Sequence, residues 1–149
     1  MRSFRFRLQT NLNLALSQEK LAREDLQKAT HHRDELVGEL SRAWEKLWDI
    51  QENIREMLVN AVPFARIVLV KEYIPVLVDI INDLQNRLNE AEEKVEKCRM
   101  ALMERKREAQ VLERLKEKEW HHYLQEMQLE EQKLIDEVAV TGHYRKSTG

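Results

Sequence analysis

Leu36-Val-Gly-Glu-Leu40-Ser-Arg-Ala43-Trp44-Glu-Lys-Leu47-Trp48-Asp-Ile50 decides the fold. Its apolar residues return alternately after four and three positions, which keeps one stripe on one side of an α-helix. Followed outward in both directions, the rhythm runs from Leu8 to Met57, and thirteen of fifteen stripe positions are apolar. Glu19 and Arg33 are the exceptions. No proline interrupts this run, and Gly38 is its one weak helix former. The pattern predicts a coiled-coil helix over about residues 8–58.

A second run starts at Leu77 and passes through Ile81, Leu84, Leu88, Ala91, Val95, Cys98, Leu102, Arg105, Ala109 and Leu112, ten of eleven positions being apolar. The frame then slips by one residue and resumes as Trp120, Leu124, Met127, Glu131, Leu134 and Val138. A slip of this kind relaxes the supercoil without ending the helix. The second helix is expected to stop near Val140, before Gly142, leaving a polar tail over 141–149.

Between the runs lies a different stretch, Ala61-Val-Pro63-Phe-Ala-Arg66-Ile-Val-Leu-Val-Lys71-Glu72-Tyr73-Ile-Pro75-Val-Leu77-Val-Asp79-Ile-Ile81. It is β-branched, apolar, and holds both prolines of the chain. Arg66, Lys71, Glu72 and Asp79 cut it into pieces far shorter than the roughly 20 apolar residues a membrane span needs. It reads as the turn of a hairpin over about 59–75, with a kinked helix starting near Pro63, where proline suits a first turn. The alternative is a parallel dimer of one broken helix. The expected architecture is all-α: one long antiparallel two-helix coiled coil forming a single domain over 1–149. Pairing Met57 with Leu77 across the turn would set Leu8 opposite Glu126, so that residues beyond about 127 overhang the first helix.

Composition excludes several classes. Charged residues are 35% of the chain and nearly balanced, at a net charge of −2, so no basic field points to nucleic acid. The three glycines, Gly38, Gly142 and Gly149, cannot build a phosphate loop or a dinucleotide fingerprint. One cysteine, Cys98, builds no internal disulfide and suits a reducing compartment. It falls on the stripe, as a small apolar filler. The opening Met-Arg-Ser-Phe-Arg-Phe-Arg-Leu lacks the apolar core of a signal peptide. His31-His32 and His121-His122 are adjacent pairs whose members diverge by about 100° on a helix. The expected register keeps the two pairs apart, so they read as surface residues and not as metal ligands. No nucleophile has a base in register, and nothing reads as an active site or a cofactor pocket.

Two clusters stand out. Trp44 and Trp48 lie four apart and one step off the stripe, flanking Leu47, with Tyr73, Ile74 and Val76 nearby across the turn. Two readings stay open, rings that cap the shaft or rings that dock a protein partner. The second cluster is the alternating-charge half of the second helix, from Glu104 through Trp120 to Glu130–Ala139. Such a run is ordinarily a solvated face. Its slip and its overhang single it out.

Three features of the sequence resemble the FliJ family of the flagellar protein-export apparatus. They are the basic-aromatic opening Phe4-Arg-Phe-Arg-Leu8-Gln9, the stretch Val111-Leu-Glu-Arg-Leu-Lys116, and Glu131-Gln-Lys-x-x-Asp136-Glu137-x-Ala139. The resemblance implies a non-enzymatic cytoplasmic stalk, peripheral to the inner membrane, similar to the central stalk of rotary ATPases. One end, built from the two termini, would enter a hexameric export ATPase and promote its assembly. The tip would meet the cytoplasmic domain of the export gate, and export chaperones are further implied partners. Carried onto this sequence, the tip contacts fall on Trp44, Leu47, Trp48, Tyr73 and Leu77, and the ATPase-facing end includes Arg5, Arg7, Gln132, Asp136 and Glu137. The corresponding stalk of a virulence-type secretion system and a self-associating structural coiled coil are the alternatives. Half-buried stripe residues gain less than full burial provides, so the isolated chain is expected to be marginally stable.

Overall fold

A computed structural model describes residues 2–148. Helix α1 spans Gln9–Val59, α2 spans Phe64–Lys71 and α3 spans Tyr73–Ser147; no strand occurs among the described residues. The chain is an all-α helical hairpin. Helix α1 is 51 residues long and α3 is 75. Both are rich in Leu, Ala, Glu, Lys, Arg and Gln, the side chains that lose least freedom on entering a helix.

The turn is tighter than the sequence suggests. Helix α1 ends in a Schellman motif: the Val62 N–H donates to the Met57 carbonyl at 3.1 Å, and Ala61 takes φ 53°. Pro63 follows, and its carbonyl accepts from the Arg66 N–H at 3.0 Å to open α2. The return helix is thus under way by Phe64. One residue, Glu72, separates α2 from α3, with helical angles φ −63° and ψ −21°. Pro75, third in α3, has no N–H to give the Lys71 carbonyl, which accounts for the break at this joint.

The early return resets the register. Ile67 is already buried, so α2 supplies the first part of the seam that the sequence reading began at Leu77. The compact unit of residues 20–103 has one apolar core, in which Leu36, Ala43 and Leu47 of α1 join Leu77, Ile81, Leu84, Leu88 and Ala91 of α3. Leu40, Ile50 and Ile74 pack at its edge. Pairing Met57 with Leu77 would instead set Leu47 opposite Arg87. The core holds Leu47 and Leu77 together with Leu88 and Ala91, and the expected pairing is corrected by the hydrogen bond between Arg105 and Gln18.

The second compact unit joins residues up to Glu19 with residues from Glu104 onward. Phe6, Leu12, Ala15 and Ala109 are buried in it. Arg105 Nη1 donates to Gln18 Oε1 at 2.9 Å, whereas the expected pairing would place Arg105 opposite Ala29, about three helical turns away. Before α1, residues 2–8 form a non-helical strap, whose Phe6 carbonyl accepts from the Gln9 N–H at 3.1 Å.

Helix α3 also runs past the expected end near Val140, reaching Ser147. Gly142 does not take a positive φ and stays within the helix. Arg145 and Lys146 lie in the last turn, where the helix dipole favours cations. Residues 128–148 are exposed throughout.

Candidate functional site

Each unit groups aromatic side chains at its surface. In the 20–103 unit, Leu47 and Leu77 are core residues, and Leu77 is only 2% exposed. One step off that seam, Trp44 and Trp48 are 54% and 63% exposed. The two rings border a shallow groove of about 410 Å³, together with Ser41, Glu45, Leu47 and Gln51. All six residues lie on α1. Tyr73 is also exposed, at 49%. At about 100° per residue, however, it leaves the seam on the flank opposite Trp44, beside Val76 and Ile80. Five residues grouped in the sequence thus separate into a buried base of Leu47 and Leu77, a tryptophan groove on one flank, and Tyr73 on the other. None of them lies in the turn itself. Asn60–Pro63 is more than ten residues beyond Trp48, because α2 lengthens the return side.

In the other unit, the strap lies on α3. The Phe4 ring meets Trp120 edge-on, with centroids 5.1 Å apart and planes at 74°. It meets Tyr123 at 5.5 Å. Trp120 and Tyr123 stack at 5.6 Å, as residues three apart on one helix face can. The Tyr123 hydroxyl donates to the Arg2 carbonyl at 2.8 Å. Phe6 is 7% exposed, so the strap is anchored at two rings while Arg2, Arg5 and Arg7 point to solvent. Gln132, Asp136 and Glu137 lie on the exposed stretch of α3, where Gln132 Nε2 donates to Asp136 at 3.2 Å and the Glu137 carbonyl accepts from Thr141 Oγ1 at 2.8 Å. The strap residues Arg5 and Arg7 thus share a unit with Gln132, Asp136 and Glu137.

The sequence reading placed Trp120 on the slipped stripe and missed the ring cluster. Its signal was available. Phe4 and Phe6 alternate with arginines, a pattern suited to an extended segment with one apolar side, and Trp120 and Tyr123 share a helix face.

Other chemistry-bearing residues lie at the surface. His31 Nε2 is 3.0 Å from Glu35, and His122 Nε2 is 3.4 Å from Glu126, each pair one turn apart on its helix. Among the described residues, no group of three or more His, Cys, Asp or Glu side chains is placed to hold a metal ion. Cys98 is half-buried against Ala29 in the 20–103 unit. No described helix is long and apolar enough to cross a membrane.

The model of the family described as "Flagellar FliJ protein" matches residues 4–148, nearly the whole described chain. The chain belongs to the FliJ family. No curated protein and no solved structure matches it. Membership gives this FliJ-family chain a role connected with flagellar protein export. The match begins at Phe4, so it takes in the ring of the strap that sits on α3, and it extends through the exposed end of that helix.

Proposed function

We propose that this FliJ-family chain is a non-enzymatic stalk and adaptor of the flagellar export ATPase, promoting assembly of the ATPase ring and linking it to the export gate. The observation that carries the reading is the end of α3. Residues 128–147 are helical and exposed, and they hold Leu134, Ile135 and Val138 at more than half of full exposure. An amphipathic helix left without a second strand gains its packing from a partner. Arg5 and Arg7 of the strap and Gln132, Asp136 and Glu137 of α3 are the residues we assign to the ATPase.

In the 20–103 unit, Trp44 and Trp48, with Tyr73 on the opposite flank, would meet the cytoplasmic domain of the gate, over the base that Leu47 and Leu77 form. Partly exposed tryptophans on a helix face are the residues that carry protein contacts. The same groove suits an export chaperone in turn. The place of action is the cytoplasm, beside the inner membrane at the flagellar base. A helix pair serves such a task without a pocket, because what it transmits is position.

The test is ATP hydrolysis and hexamer formation by the cognate export ATPase, with and without this chain. Faster turnover and more hexamer are expected. Unchanged turnover and assembly, with a stable elongated dimer in light scattering, would make the chain a self-associating coiled coil instead. The virulence-type stalk would act on its own system's ATPase and not on the flagellar one.

A further inference from the structure

The strap and the face beneath it are matched to each other in chemistry. Residues 2–7 carry three arginines alternating with Phe4 and Phe6. Beneath them, α3 presents Trp120, Tyr123 and Met127 in helical succession, then an acidic stretch. From Glu126 to Glu137 the charged residues are Glu126, Glu130, Glu131, Asp136 and Glu137, against the single base Lys133. Arg5 and Phe4 line a cavity of about 600 Å³ with Tyr123, Glu126, Met127 and Glu130. Helix α1 reaches the start of this face: Gln9, Leu12 and Leu16 line a groove with Glu113, Lys116, Glu117 and Trp120 of α3. The strap lies over the Tyr123–Met127 part of this face, and from Gln128 onward α3 is exposed.

We infer that the α3 face from Trp120 to Glu130 is a docking site for an arginine- and aromatic-bearing segment of a partner protein, and that residues 2–8 occupy it as an intramolecular stand-in. The strap shows which ligand the face takes. An aromatic side chain enters beside Trp120 and Tyr123, and arginines line the same cavity as Glu126 and Glu130. Docking is reversible because a non-helical segment of seven residues must be ordered to make two ring anchors and one hydrogen bond. Its release lengthens the free face of α3 toward its N-terminus, so that a partner seated on 128–148 continues without a break along Met127, Tyr123 and Trp120. The strap thereby sets how much of α3 a partner reaches. This deepens the stalk reading, resting on α3 as its partner-binding end.

A fluorescein-labelled peptide of residues 2–8, Arg-Ser-Phe-Arg-Phe-Arg-Leu, tests the site directly by anisotropy. A tethered strap competes at an effective concentration of about millimolar, so the unaltered full-length chain should bind the peptide weakly. Phe4→Ala combined with Arg5→Glu in the full chain, which frees the strap, should tighten peptide binding about tenfold or more. In that background, Trp120→Ala should abolish binding and raised salt should weaken it. Circular dichroism checks that the variant keeps its helix content; should it not, Arg5→Glu alone is measured. Equal peptide affinity in the unaltered and strap-freed chains would overturn the proposal, as would binding that survives Trp120→Ala. No ATPase is present in this assay. A chain that stimulates the ATPase yet shows no peptide site sinks the strap alone; a chain with the site but without stimulation sinks the stalk reading alone.

Discussion

Arg105 of α3 donates a hydrogen bond from Nη1 to Oε1 of Gln18 on α1, at 2.9 Å and partly buried. The bond matters beyond its own energy because apolar seams slide. Leucines opposite leucines lose little when one helix shifts by a turn, whereas a polar pair beside the seam loses its partner. Arg105 also meets Glu108 at 3.2 Å, but that contact is on its own helix and exposed, so it neither sets the register nor adds much. Gln18→Ala and Arg105→Ala should each lower stability by about 1 kcal/mol, and a double-mutant cycle in urea should return a coupling of about 1 kcal/mol. Strictly additive losses would mean that the two side chains act independently.

Leu77 and Trp48 make an opposing pair of tests, because both are large apolar side chains near the same turn of the seam. Leu77 is enclosed by the core of the 20–103 unit, and Trp48 faces water. Leu77→Ala should cost about 2–5 kcal/mol, enough to unfold much of a marginally stable chain at 37 °C. Trp48→Ala should stay within about 0.5 kcal/mol of the unaltered chain in thermal melts while weakening capture of the gate domain. A loss at Trp48 as large as that at Leu77 would make the ring a structural residue.

The alternation of four and three from Leu8 to Met57 contains the first helix, and it was legible because only one side of a helix is buried. The same rule read through Leu77 to Leu112 gave the second. The offset between them was not legible. A seam of repeated leucines and alanines matches itself at several registers, and the choice is made by the turn, whose reversal at Ala61 leaves no mark in a seven-residue rhythm. The β-branched run from Ile67 to Val70 looked like an interruption because its residues favour strands. It folds as a helix because Ile67 has a seam to bury against.

The site was legible in its parts and not in its grouping. Trp44 and Trp48 were singled out because they sit beside the stripe, and they are exposed. Tyr73 was joined to them on nearness to a turn in the sequence. Helical phase puts it on the other flank. The ring cluster of Phe4, Trp120 and Tyr123 depends on a non-helical strap of residues far apart in sequence, which periodicity cannot register.

Ala61 should respond to substitution in a direction that burial does not predict. It is exposed, yet its φ of 53° lies in the left-handed region, where a Cβ crowds the following carbonyl. The Schellman turn needs that conformation, and glycine adopts it without the crowding. Ala61→Gly should raise stability by about 1 kcal/mol, and Ala61→Val should lower it by about as much or more, both read as shifts of the urea midpoint at constant slope. Loss of stability on Ala61→Gly would show that the entropy gained by the unfolded chain outweighs the relief of strain.

Pro75 divides α2 from α3 while both continue the same return helix. Its nitrogen has no proton for the Lys71 carbonyl, and the residue before a proline is biased away from helical angles. The break nonetheless stays small: Glu72 keeps φ −63° and ψ −21°, and its N–H donates to Val68 at 2.9 Å. Three features limit the cost. Pro75 is the third residue of α3, where backbone N–H groups lack intrahelical partners in any helix. Ile74 and Leu77 on either side are held by the core. Ile67 anchors the far side of the joint. Pro75→Ala should therefore fuse α2 and α3 into one helix without moving the seam. The new amide at position 75 should be protected in hydrogen exchange, and thermal stability should rise by about 1 kcal/mol or more, since a helix-interior proline is roughly 3 kcal/mol worse than alanine and part of that is already avoided here. An unprotected amide, or a stability no higher than that of the unaltered chain, would mean that the joint at Glu72 is imposed by packing of Ile67 and Ile74 and not by the proline.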